Sequence, residues 1–192
     1  KGFKCFCLIF DYEQRHAKEI ASAKRIAQSA NCQWQMIKIN LPWKGSSLLN
    51  KKIKLPVASC QLPVSIPSTY VPARNTIFLS FALSYAEAIK AEAIFIGANA
   101  IDFSGYPDCR PEFYQAFTKA AKAGTKAGVE GRPIRIVAPL IRKTKAQIIR
   151  LGSKLGVPFK LTWSCYQGRR YPCGKCDSCY FRAKGFKEAG IK

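Results

Sequence analysis

Cys165, Cys173, Cys176 and Cys179 follow one another with seven, two and two residues between them, and this spacing constrains the chain more than any other feature. A C-x-x-C turn can set two sulfurs on one ion without strain, and structural zinc takes four soft ligands at the corners of a tetrahedron. Gly174, inside the Cys173–Cys176 turn, favours that tight geometry. C-x-x-C-x-x-C also occurs in iron–sulfur proteins, so a cluster, or plain free or redox thiols, stay open as alternatives. Nine cysteines are an odd number and do not suit a fully paired secreted framework, which points to a reducing compartment and a metal. Four thiolates leave no open coordination position. The metal, Zn2+ at one per chain, is therefore expected to be structural, with Arg169, Arg170, Lys175 and Arg182 nearby to offset the thiolate charge.

The 192 residues are 48% hydrophobic, enough for one or at most two globular domains. Lys and Arg number 32 against 11 Asp and Glu, a formal charge of +21, which suggests an anionic partner such as nucleotide, phosphate, RNA or an acidic surface. No apolar run reaches the roughly 18 residues that span a bilayer, and the first residues lack a signal-peptide core, so no membrane partner is expected and the location reads as cytoplasmic. Met36 is the only methionine, so Lys1 is not an encoded initiator.

Along the chain, Lys4–Phe10 is an apolar run suited to a buried parallel strand. Ile20, Ala23, Ile26, Ala27 and Ala30 then share one face of a helix from about Ala17 to Ala30. Trp34–Ile39 reads as a second strand. Five prolines, at 42, 56, 63, 67 and 72, make the next stretch an irregular excursion of the kind that carries binding or lid function. Thr76–Lys90 reads as a mostly buried helix, Ala93–Gly97 as a strand, and Pro111 opens a helix toward Gly124. Ile134–Ala138 is a further strand, and Thr144 and Gln147 stand at capping-box spacing ahead of a helix that Gly156 and Pro158 end. Strands alternating with helices predict an α/β fold: a three-layer parallel sheet with helices on both faces, over residues 1–160, plus a C-terminal zinc-binding appendage, 161–192.

In such a sheet ligands bind beyond the carboxyl ends of the strands. That places Gln14, Arg15 and His16 after the first strand, and Asp102, Ser104, Asp108 and Arg110 in a loop after Ala93–Gly97, among the candidate contacts. Arg74 and Asn75 precede a helix, where a guanidinium and spare backbone donors could hold phosphate or carboxylate, although a helix cap explains Asn75 almost as well. Lys145 begins another helix. Cys5, Cys7 and Cys32 read as core thiols.

Four blocks then match a known family: Asp11-Tyr12-Glu13-Gln14-Arg15-His16, Pro67–Asn75, Ser104–Pro111, and Thr162–Tyr166 with the later cysteines. In family order they cover nearly the whole chain, which resembles the 7-cyano-7-deazaguanine synthase family of the PP-loop ATP pyrophosphatase superfamily (HUP/PP-loop adenine nucleotide hydrolase-like fold). The resemblance implies ATP-dependent conversion of 7-carboxy-7-deazaguanine and ammonia to the nitrile through adenylated and amide intermediates, a carbon–nitrogen ligase of queuosine biosynthesis and the tRNA-modification pathway. It also implies Cys165, Cys173, Cys176 and Cys179 as zinc ligands, ATP with Mg2+ as co-substrate, and a homodimer. A carboxylate is a poor electrophile until its oxygen becomes a phosphate-ester leaving group, so the chemistry is coherent.

Two departures stand out. The family's Ser-Gly-Gly-x-Asp-Ser phosphate loop is not in these residues, so the chain as written is expected to bind ATP poorly, with inactivity as one outcome. Glu13 stands where the family usually has glycine, so that turn is expected to differ locally. The rival readings are a PP-loop tRNA-thiolation enzyme, for which Cys109 is the candidate thiol, and a zinc-stabilised RNA-binding module without catalysis. From Arg142 onward thirteen Lys and Arg face only Asp177 and Glu188, which keeps an RNA contact open.

Overall fold

A computed structural model describes residues 2–15, 17–56 and 66–191. The chain divides into two compact units: the described residues of Lys1–Cys60, Ser68–Val71 and Ile149–Lys192, and those of Gln61–Pro67 and Pro72–Ile148.

The first unit opens with a right-sized βαβ element. β1 (Phe6–Asp11) and β2 (Gln33–Lys38) pair in parallel from Phe6 opposite Gln33 to Asp11 opposite Lys38, with α1 (Lys18–Ser29) between them in sequence. Ile20 and Ala27 are buried on α1 as their spacing predicts, but Ala30 lies past the helix end and is exposed. Among the described residues each sheet has two strands, so β1 has one paired edge and buries only Ile9 fully. Cys5 is exposed and Cys7 and Cys32 are half-buried, which corrects their reading as core thiols. The described part of the proline-rich excursion is irregular yet anchored. Ser46 and Ser47 are buried, the Ser47 N–H donates to the Ser68 carbonyl at 2.8 Å, and the Ser46 hydroxyl reaches the same oxygen at 3.2 Å.

The second unit repeats the pattern. α2 (Arg74–Ala88) leads to β3 (Ala93–Phe95), which pairs in parallel with β4 (Arg135–Val137). Between them lie α3 (Ala100–Gly105), a 3-10 turn (Pro107–Cys109), α4 (Pro111–Gly124) and α5 (Lys126–Val129). Leu79, Ala98, Cys109 and Tyr114 form the core, packed by Ile94, Ile96, Phe113, Phe117 and Ile136. The segment read as a loop from Asp102 is therefore helical at its start. Asn99 caps α3 and Asp102 answers it, accepting from the Asn99 N–H at 3.2 Å while Ile101 N–H donates to Asn99 Oδ1. α2 is apolar all round but buries only Asn75, Leu79 and Ala86, so the expectation of a mostly buried helix fails; Phe81 is 44% exposed.

The unit boundary falls within α6 (Lys145–Lys154), whose capping box is as expected: Thr144 N–H donates to Gln147 Oε1 at 2.9 Å and Gln147 N–H to Thr144 Oγ1 at 3.2 Å. A 3-10 turn (Phe159–Leu161) and α7 (Asp177–Ala189) complete the chain. The architecture is α/β with parallel strands and helices, and α3, α5 and α7 are the elements the sequence pattern did not reveal.

Candidate functional site

The four C-terminal cysteines converge. Cys165 follows the 3-10 turn, Cys173 opens a turn in which Gly174 takes φ 70, Cys176 is the N-cap of α7 and Cys179 sits in its first turn. All four Sγ atoms lie within 4.8 Å of one another, and Cys173 and Cys179 are 4.0 Å apart. A zinc–sulfur bond of about 2.3 Å gives a tetrahedral edge of about 3.8 Å, so small side-chain movements close the cage around one ion. Sulfurs this close suit a single ion.

Backbone donors also point inward. The N–H groups of Gln167 and Cys173 reach Cys165 Sγ at 3.4 Å, and those of Cys176 and Lys175 reach Cys173 Sγ at 3.4 and 3.5 Å. Burial raises the Cys173 thiol, but the N–H groups of Lys175 and Cys176, with hydrogen bonds to the Cys165 and Cys176 thiols, outweigh it and hold it at about 7. Burial instead pushes Cys179 up to about 12 and raises Cys176. Without a cation, then, the buried thiols resist ionising; a divalent ion reverses that preference. The donor set fits a metal ion such as zinc. Arg182 lies close enough to Cys179 to feel its charge and donates to the Phe159 carbonyl at 3.1 Å, whereas Arg169, Arg170 and Lys175 are exposed.

A second polar cluster forms at the start of α2. The Asn75 N–H donates to Asp108 Oδ2 at 2.9 Å, and its side-chain amide donates to the Asp108 carbonyl and to Cys109 Sγ, both at 3.1 Å. Ala73, with φ 52, is the N-cap and supplies no side-chain bond, so the carboxylate of Asp108 caps the helix in its place. Asn75 is thus not the cap. Burial, with Asp108 and Asp102 nearby, pushes Cys109 up to about 12 against the opposing pull of Arg74 and Asn75. A thiol buried and raised in this way is a weaker nucleophile than an exposed one. Tyr114, missed by the sequence reading, is buried here with no hydrogen-bond partner for its hydroxyl among the described residues.

The other candidates are spread more widely. Arg110 is exposed at the N-cap of α4, and Lys145 is half-buried at the start of α6. The Ser104 side chain and all of His16 lie outside the described residues. Gln14 and Arg15 belong to the first unit. Gln14 Oε1 accepts from the Tyr12 N–H at 2.9 Å and its amide donates to the Phe10 carbonyl at 3.3 Å, while the Arg15 guanidinium donates to the carbonyls of Ser47 and Ile53. Between them and β1, Glu13 holds φ 58, so the turn keeps a left-handed backbone although the residue is not glycine. The Asp11 carboxylate, accepting from the Glu13 N–H at 3.3 Å, helps hold it there.

Known proteins match this chain along its length. The family described as queuosine biosynthesis protein QueC matches residues 1–190. A protein named 7-cyano-7-deazaguanine synthase from Trichormus variabilis is 53% identical over 195 residues, covering 100% of this chain and 86% of that protein. Another of the same name from Picrophilus torridus is 53% identical over 190 residues, covering 98% of this chain and 79% of its own length. A cage of four thiols at the C-terminal end and whole-length similarity to proteins bearing that one name lead to the same place: this chain belongs to the QueC family of queuosine biosynthesis proteins.

Proposed function

We propose that this protein is a 7-cyano-7-deazaguanine synthase, an ATP-dependent carbon–nitrogen ligase that turns 7-carboxy-7-deazaguanine and ammonia into the nitrile through an adenylate and an amide. The observation that carries the reading is identity of about half the residues over the whole chain with relatives of that name. The burial of Cys109, which raises its thiol, weighs for it against thiol chemistry at that residue. Zinc, held by Cys165, Cys173, Cys176 and Cys179 in the region 161–192, would supply fold stability and no reactive position.

Within the α/β domain, 1–160, Arg74, Arg110 and Lys145 are the proposed partners for anionic groups of ATP, used with Mg2+, and of the deazapurine carboxylate. Asn75, Asp102 and Asp108 are proposed contacts as well; Asn75 and Asp108 bond to each other, and Asp102 accepts from the Asn99 N–H. Gln14, Arg15, His16 and Ser104 are proposed as further contacts, and the enzyme is proposed to act in the cytoplasm as a homodimer. Among the described residues no helix is long and apolar enough to cross a membrane. The test is to incubate the full-length protein with ATP, ammonium and 7-carboxy-7-deazaguanine and follow products by mass. Nitrile with release of AMP is expected; RNA thiolation without nitrile would overturn the assignment.

A further inference from the structure

The link between the first two metal ligands is held from outside the metal region. Lys18, the first residue of α1, donates through its ammonium to the carbonyls of Arg169 and Arg170, the latter at 2.8 Å. Both carbonyls lie in the seven-residue link from Cys165 to Cys173. The same ammonium stands over the Trp163 ring, 4.6 Å from its centroid. Trp163 in turn packs against the thiols and donates its indole N–H to the Cys165 carbonyl at 2.9 Å. One cation therefore grips the approach to Cys165 on one side and the approach to Cys173 on the other.

Upstream of Lys18 the chain is gripped again. Arg15 donates its N–H to the Leu48 carbonyl at 2.7 Å and its guanidinium to Ser47 and Ile53, and Gln14 closes the turn onto Phe10. Arg15 is thus held by the excursion and Lys18 by the metal link, all within one unit. We propose that Lys18 is a positioning residue that couples filling of the four-cysteine site to the order of the turn Asp11–Arg15. A metal that tightens the cage fixes the two carbonyls that Lys18 needs, and Lys18 carries that order to the start of α1. By linkage, an ordered turn holds the metal link in return. The coupling does not depend on the function proposed above.

The test compares the wild-type protein, Lys18→Met and Lys18→Arg, each loaded with one zinc per chain. Zinc release to a colorimetric chelator is timed, and hydrogen exchange is followed in peptides covering residues 11–20 and 165–175, before and after chelation. In the wild type, chelation is expected to speed exchange in 11–20. Lys18→Met should release zinc about tenfold faster, as the loss of charged hydrogen bonds predicts, and its 11–20 peptides should exchange quickly whether or not zinc is bound. Lys18→Arg, keeping charge and ring contact, should restore part of both effects. Exchange in 11–20 that ignores chelation in the wild type overturns the coupling even if Lys18→Met fails to fold, and so does an unchanged release rate in a folded Lys18→Met. Neither readout involves nitrile formation, so failure here and failure of the enzymatic assignment are separate results.

Discussion

Cys109 in one unit and Cys165, Cys176 and Cys179 in the other are all buried, yet their surroundings differ. Cys109 receives the Asn75 amide at 3.1 Å, has Asp108 Oδ1 at 3.9 Å, and packs with Leu79, Ala98 and Tyr114, a thiol held by one apolar core and a few polar neighbours. The C-terminal sulfurs crowd against one another and collect several backbone donors, a setting that calls for negative charge while burial resists it. Burial alone therefore does not tell a structural thiol from a ligand. The crowding of sulfurs and the direction of nearby donors do.

The largest test of that contrast is Cys176→Ser. Zinc stoichiometry should fall from one per chain to near zero, with loss of the cooperative melt of the C-terminal segment in circular dichroism, because metal binding energy is folding energy at such sites. Cys109→Ser should keep the metal. Next in size is reactivity. A shift of the Cys109 thiol to about 12 leaves it, at neutral pH, with about a thousandfold less thiolate than an ordinary cysteine, so mass mapping after iodoacetamide should find it unlabelled in the folded protein. Its linkage has a definite sign. The folded state keeps a proton that the unfolded chain gives up at its ordinary value, so this contribution to stability is whole below that value and is lost as pH rises toward 12. A urea titration series at rising pH should show the decline.

Asp108→Ala should cost about 2–3 kcal/mol in urea denaturation, since it strips the Asn75 N–H of its partner in a buried place. Metal content should not change, which would separate the two regions cleanly. The smallest effect is expected at the turn of the first unit. Glu13→Gly removes the left-handed strain at φ 58, and after the entropy that glycine adds to the unfolded chain the gain should be about 0.5 kcal/mol, seen as a slight rise in Tm.

Much of this was open to reading from residues alone, for physical reasons that can be named. The Thr144–Gln147 box and Pro111 announce their helices through local bonds, and the C-x-x-C turns announce the cage through spacing. α3 was hidden because its capping pair, Asn99 and Asp102, introduces a helix of six residues ending in glycine, too short for a periodic face to emerge. α7 begins on a ligand, Cys176, so its first turn serves metal geometry and helix at once, and the cysteine pattern masked the helical one. Cys5 and Cys7 misled in the other direction: the run to Phe10 promised a covered strand, while among the described residues β1 pairs on one edge only and leaves Cys5 exposed and Cys7 half-buried; Cys32, just before β2, is half-buried too. The bond between Asn75 and Asp108 had no local signature, because its partners are 33 residues apart.

That distance bears on how the protein folds. A helix whose first turn is closed by its own side chain can nucleate from nearby residues; α2 has Ala73 at that place and borrows a carboxylate from beyond α3. The start of α2 is then a product of tertiary assembly, settled only when the Pro107–Cys109 turn arrives and the loop-closure entropy has been overcome. Arg74, the first residue of that helix, combines the two: its backbone starts a turn closed from Asp108, while its guanidinium stands over the Phe78 ring of the same helix, 5.9 Å from the centroid.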